Sequence, residues 1–122
     1  MKRRKFIHVA SLGSAAIASN LYFEPIIDGR KLKIGLIGAG WYGMVITRAA
    51  LKVGGVEIAG ICDVDSEHLN NSANELEKLQ GTKPKIFKNY HDLLDMKGLE
   101  VIFIGTPPHW HALQFIAACE KG

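Results

Sequence analysis

The 122 residues are 48% apolar, which excludes a disordered chain and predicts one globular unit with its own core. The formal charge of +3 is concentrated at the start: of 15 basic residues, four lie at positions 2–5, so beyond residue 18 eleven face 12 acidic ones. That balance excludes the basic face that neutralising nucleic-acid phosphates requires.

In chain order, residues 1–18 have the three parts of a secretory signal. A basic start (Lys2, Arg3, Arg4, Lys5) leads into a mildly apolar stretch over residues 6–17, and Ala16-Ile17-Ala18 offers the small-x-small pattern for cleavage after Ala18. The stretch is too short to span a bilayer and is diluted by His8, Ser11, Gly13 and Ser14, which argues against a retained anchor. Arg3-Arg4 followed by Lys5-Phe6-Ile7 resembles the twin-arginine export signal. The expected destination is therefore the periplasm or another exported location, reached through the twin-arginine translocase. Residues 19–31 hold Pro25 and Gly29 without a sustained period and read as a linker, so the folded domain is expected over residues 32–122.

"LKIGLIG" reads as a buried parallel strand ending in glycine. "MVITRAALKV" follows as a helix with Val45, Ala49 and Val53 on its inner face, beside Ile46 and Ala50, and Gly54-Gly55 stops it. "VEIAGICD" is a second strand. "SEHLNNSANELEKLQG" is an amphipathic helix that Ser66 can cap, with a stripe of Leu69, Ala73, Leu76 and Leu79 and a stop at Gly81. "PKIFKN" is a short third strand, "YHDLLDMKG" a helical turn or two, and "LEVIFIGTPP" a fourth strand. "HWHALQFIAACEKG" closes as a helix with Ala112, Phe115, Ile116 and Cys119 inward and Gly122 as its cap. Both cysteines, Cys62 and Cys119, sit in apolar runs and are expected to pack as small hydrophobes, not to pair. Strands alternating with helices require crossovers, so the fold class is α/β, a Rossmann-type doubly wound parallel sheet whose second half is incomplete.

"IGLIGAGWYG" carries G-x-G-x-x-G as Gly38, Gly40 and Gly43, after a predicted strand and at the mouth of a predicted helix. In that context Gly38 permits the tight turn, Gly40 lets a pyrophosphate approach the backbone, and Gly43 lets helix and strand pack closely. The amides of Trp41 and Tyr42 are then expected to face the phosphates at the positive end of the helix dipole. Asp63 ends the second strand 20 residues after Gly43, where a carboxylate receives ribose hydroxyls. It also repels the extra phosphate of NADP, and no Arg follows it, so NAD is favoured over NADP. Asp65, two residues on, is expected in the loop or as a helix cap. In "GTPPHWHA", His111 is a candidate beside the cofactor or substrate, and Trp110 either lines the pocket or covers the helix start. His109 and His111 face different ways at a helix start with no third ligand, so no metal is expected.

"KIGLIGAGWYG", "GICDVD" and "IGTPPHWHALQFIAACEKG", in this order and spacing, resemble the N-terminal domain of the Gfo/Idh/MocA oxidoreductases over residues 32–122. The resemblance implies a nicotinamide cofactor and a sugar or cyclitol substrate. It places Thr106 and Pro107 at the cofactor and carries the family's histidine onto His111, also the one catalytic candidate. Pro108 stands where the family often has Asn. The family's E-K-P motif, with its catalytic lysine, is not reached, because Glu120-Lys121-Gly122 falls in register with the preceding helix end. The chain therefore reads as the cofactor half of a longer exported enzyme, without its substrate domain and without turnover of its own; a homo-oligomer is left open. Members resembling this chain include NAD-dependent glycosidases as well as oxidoreductases, and a non-enzymatic dinucleotide-binding module is the remaining alternative.

Overall fold

The computed structural model describes residues 29–122; the expected signal and most of the expected linker lie outside the described residues. The elements run β1 (Leu32–Ile37), α1 (Trp41–Val53), β2 (Val56–Cys62), α2 (Ser66–Gln80), β3 (Lys85–Phe87), α3 (Tyr90–Leu94), β4 (Val101–Ile104) and α4 (Pro108–Glu120). All pairings are parallel, in the order β3-β2-β1-β4. The chain thus winds outward from β1 through β2 to β3, then returns past β1 to lay down β4. This reversal creates a crevice at the carboxyl ends of β1 and β4, the place where open α/β sheets bind ligands.

Alternation along the strands supplies a core on each face of the sheet. Ile34 and Leu36 meet Met44 of α1 and Leu69, Ala73 and Leu76 of α2 on one side. Ile37 and Cys62 meet Leu93 and Leu94 of α3 and Ala117 of α4 on the other. The β1–β2 register slips between Ile34 and Gly35, where Ile34 pairs with Ile58 but Gly35 with Gly60. The extra residue, Ala59, brings Ile58 and Ile61 into the same core although they are three apart. Gly35 and Gly60 are opposite each other, and a Cβ at Gly60 would stand 2.6 Å from Leu93 Cδ1. Their missing side chains are the seat of Leu93, which is fully buried.

Helix phase departs from expectation in two places. In α1 the buried residues are Gly43, Met44 and Thr47, whereas Val45 and Ala49 are exposed and Val53 is 89% exposed. The close approach of Gly43 to the β1 turn sets the rotation of this helix, and a count of apolar side chains does not register a glycine contact. In α4 only Gln114 and Ala117 are buried; Ala112, Phe115, Ile116 and Cys119 face outward. That helix is apolar nearly all round, so its hydrophobicity carries no phase. Leu79, expected in the α2 stripe, is also exposed, leaving Leu69, Ser72, Ala73 and Leu76 as the buried face.

The helix ends follow local chemistry. Asp65, not Ser66, caps α2: its carboxylate accepts from the amides of Glu67 and His68 at 2.8 and 3.1 Å. Those two backbone bonds, His68 first, hold its carboxyl below the usual aspartate range. Gly54 and Gly81 end α1 and α2 as expected. At α4 Lys121 is the cap and Gly122 follows it, at φ +89°.

Candidate functional site

The glycine turn is built by contact as much as by conformation. Gly38 has φ +89°, and a Cβ there would lie 2.7 Å from the Thr106 amide nitrogen and 2.8 Å from Gly105 C. A Cβ on Gly43 would lie 1.8 Å from the Gly38 carbonyl oxygen, and one on Gly105 would meet Gly43 Cα at 2.6 Å. Gly38, Gly43 and Gly105 therefore interlock, pinning the β1 turn, the α1 N-terminus and the β4 exit together. Gly105 escaped the motif reading because it lies 62 positions beyond Gly43; its place directly before Thr106-Pro107 was the available signal.

Gly40 differs from these three. Its backbone is extended, with φ −76° and ψ −167°, which any residue adopts, and the nearest atom to an added Cβ is His68 Nδ1 at 3.8 Å. Neither strain nor packing explains the glycine. It opens onto a cleft of about 690 Å³ at the carboxyl edge of the sheet.

The cleft walls come from the end of every strand. Ile37 and Gly38 follow from β1, Cys62, Asp63, Val64 and Asp65 from β2, and Lys88, Asn89 and Tyr90 from β3. Gly105, Thr106 and Pro107 leave β4, and Trp110 and Gln114 reach in from α4. Trp110, open in the sequence, thus lines the cleft. Lys88, Asn89, Tyr90 and Gln114 were missed: the short β3 gave no motif, and Gln114 lies on a face expected to be exposed. Lys88 brings a cation into the same cleft as Asp63, which sequence spacing did not show.

Asp63 is half-buried, and each of its oxygens already accepts one backbone amide, Ala39 N on Oδ2 at 2.8 Å and Asp65 N on Oδ1 at 2.9 Å. The carboxylate thereby ties the glycine turn to the end of β2, and each oxygen retains a lone pair for a further donor. Ser72 Oγ holds the same turn from α2, donating to the Ala39 carbonyl at 2.7 Å. Burial pushes the neighbouring Cys62 thiol up to about 11, with the charges of Asp63 and Asp92 adding to the shift. At neutral pH that thiol is protonated and is no nucleophile. Cys119, expected to pack inward, is exposed.

The first α1 bond within the helix runs from Met44 N to Gly40 O at 3.0 Å, so the preceding amides, those of Trp41, Tyr42 and Gly43, are the unfilled donors of the helix start. Trp41 and Tyr42 are exposed, and their side chains stand outside the cleft lining. His111 also stands outside the lining; its Nε2 donates to the Thr106 carbonyl at 2.6 Å, so it braces the Thr-Pro turn. Among the described residues no group of three His, Cys, Asp or Glu side chains gathers at metal-ligand spacing.

Taken together, an open glycine, a helix start and a strand-end carboxylate fit a pyrophosphate flanked by a ribose. Residues 32–122 match the Gfo/Idh/MocA model, described as an oxidoreductase family with an NAD-binding Rossmann fold. A glycosyl hydrolase family 109 protein of Stenotrophomonas maltophilia (strain K279a) is 32% identical over an alignment that covers 100% of this chain and 28% of that protein. Among solved structures, myo-inositol 2-dehydrogenase of Lactobacillus plantarum is 30% identical with a TM-score of 0.67, covering 76% of this chain and 26% of that one. Scyllo-inositol dehydrogenase of Lactobacillus casei, solved with NAD(H) and scyllo-inositol, shares the fold at 21% identity and a TM-score of 0.67, covering 76% of this chain and 26% of that one. The chain spans about 28% of the length of the curated relative it matches along its whole extent.

Proposed function

Because the chain belongs to the Gfo/Idh/MocA oxidoreductase family and forms its NAD-binding Rossmann domain, we propose that it is the cofactor-holding part of an exported enzyme that removes a hydride from a sugar or cyclitol hydroxyl. NAD supplies the hydride acceptor. The chain's own residues bind and orient it: the turn from Gly38 to Gly43 takes the pyrophosphate, Asp63 takes the adenosine ribose, and Thr106 and Pro107 border the far side. Asp63 supports NAD over NADP, because a phosphate on the ribose would meet a carboxylate.

The observation that carries this reading is Gly40, a glycine that the fold itself does not need. Gly40→Val in the 122-residue chain is therefore expected to leave the unfolding midpoint within a few degrees of wild type while weakening NAD binding by roughly 100-fold, because its side chain occupies the space of the pyrophosphate. Equal NAD affinity in a folded variant contradicts the reading.

A second reading, in which the hydride is taken and returned during glycoside cleavage, is favoured by the name of the relative that aligns along the whole chain. Both uses fit export by a route that carries folded proteins, since NAD then leaves the cytoplasm already bound and is regenerated within each cycle. Replacing Arg3 and Arg4 together with Lys tests export directly: the wild-type chain is expected in the periplasmic fraction and the double variant in the cytoplasm, reduced outside by roughly tenfold or more. Unchanged fractionation of the variant overturns twin-arginine export.

A further inference from the structure

Gln114 is an amide on a helix that is otherwise nearly all apolar, and it is only 5% exposed. Burying such a group costs free energy unless its polar atoms are matched. Its Oε1 lies 2.5 Å from Thr106 Oγ1, which donates to it. Its Nε2 has no acceptor among the described residues, and no side-chain polar atom there is both fully buried and unpartnered. The Nε2 group is thus the part of Gln114 left open, and Gln114 lines the cleft beside Thr106.

The hydroxyl of Thr106 has one proton, and that proton is committed to Gln114. Towards the cleft the Thr106 oxygen therefore only accepts, while Gln114 Nε2 only donates. His111, three residues before Gln114 on α4, holds the Thr106 carbonyl through its Nε2. Turning the Gln114 amide over exchanges the two roles and leaves one donor beside one acceptor.

We propose that Thr106 and Gln114 form a recognition edge for an amino group that neighbours an acceptor on the bound dinucleotide, the pattern of a primary carboxamide or of an aminopurine edge. This rests on the cleft being the NAD site. NAD carries the pattern twice, as the carboxamide of its nicotinamide and as the amino group of its adenine beside a ring nitrogen. Gln114 is on this account a positioning residue that selects and orients one end of the cofactor.

The test is calorimetric titration of the 122-residue chain with three probes. They are NAD, its 3-acetylpyridine analogue, in which a methyl replaces the carboxamide amino group, and its hypoxanthine analogue, in which an oxo group replaces the adenine amino group. Wild type is expected to bind one analogue at least roughly tenfold more weakly than NAD and the other equally, which identifies the recognised end. In Gln114→Leu the gap is expected to close to within about threefold. Gln114→Glu keeps an acceptor for the Thr106 hydroxyl but puts a carboxylate oxygen where Nε2 donated, so it supplies the test if the Leu variant does not fold: it is expected to bind NAD itself at least roughly tenfold more weakly. Equal binding of all three probes by wild type, an unchanged gap in folded Gln114→Leu, or undiminished NAD affinity in folded Gln114→Glu overturns the assignment while leaving NAD binding intact. Failure of wild type to bind NAD at all overturns the proposed function and this assignment with it.

Discussion

Gly43→Ala is expected to destabilise the domain by about 3 kcal/mol or more, seen as a fall of roughly 15 °C in the unfolding midpoint. On an open helix the same change stabilises by about 1 kcal/mol, because alanine is the better helix former. Here the new Cβ would stand 1.8 Å from the Gly38 carbonyl oxygen, a backbone atom of a turn that cannot rotate aside. Relief requires α1 to leave the turn, and that movement uncouples Gly43 from Gly105 and opens the buried seat of Met44 and Thr47. Thermal unfolding followed by circular dichroism measures it; a midpoint at or above wild type contradicts the interlock. The contrast with Gly40→Val is the informative one, since two glycines of one motif are expected to fail in different assays.

Asp63→Ala is expected to weaken NAD binding by on the order of 100-fold. On the proposed reading the carboxylate makes two kinds of contribution, the ribose hydroxyls it would receive and the Ala39 amide it already holds, and bonds to a charged acceptor are each worth about 1.5–3 kcal/mol. NADP is expected to lose much less, because in wild type it already meets the Asp63 charge, so the preference between the two cofactors narrows. Titration of both dinucleotides into both proteins checks this. A variant that keeps its preference for NAD shows that another group reads the ribose.

The alternation of strands with helices and the cofactor edge were legible because they rest on strong, local signals: glycine at fixed spacing after an apolar run, and a carboxylate at the end of the next one. Asp63, placed by its spacing after Gly43, and Thr106, placed by the family resemblance, both line the cleft. The rotation of α1 was not legible, since Gly43, which sets it, has no side chain to appear in an amphipathic pattern. Nor was that of α4, where nearly every residue is apolar and the buried face includes the polar Gln114, held by Thr106. The same blind spot hid Gln114 from the candidate site; His111, named from its place after the Thr-Pro turn and from the family resemblance, bonds the Thr106 carbonyl and stands outside the cleft lining. Lys88, Asn89 and Tyr90 entered only through the fold, because β3 is three residues long and its exit carries no spacing to read.

The cleft at the carboxyl ends of the four strands is the site proposed to hold NAD. Calorimetric titration of NAD and NADP into the wild-type 122-residue chain tests it most directly. Saturable binding of NAD at one site per chain, with NADP weaker by roughly tenfold or more, is the predicted result; no binding of NAD, or equal binding of the two, contradicts it.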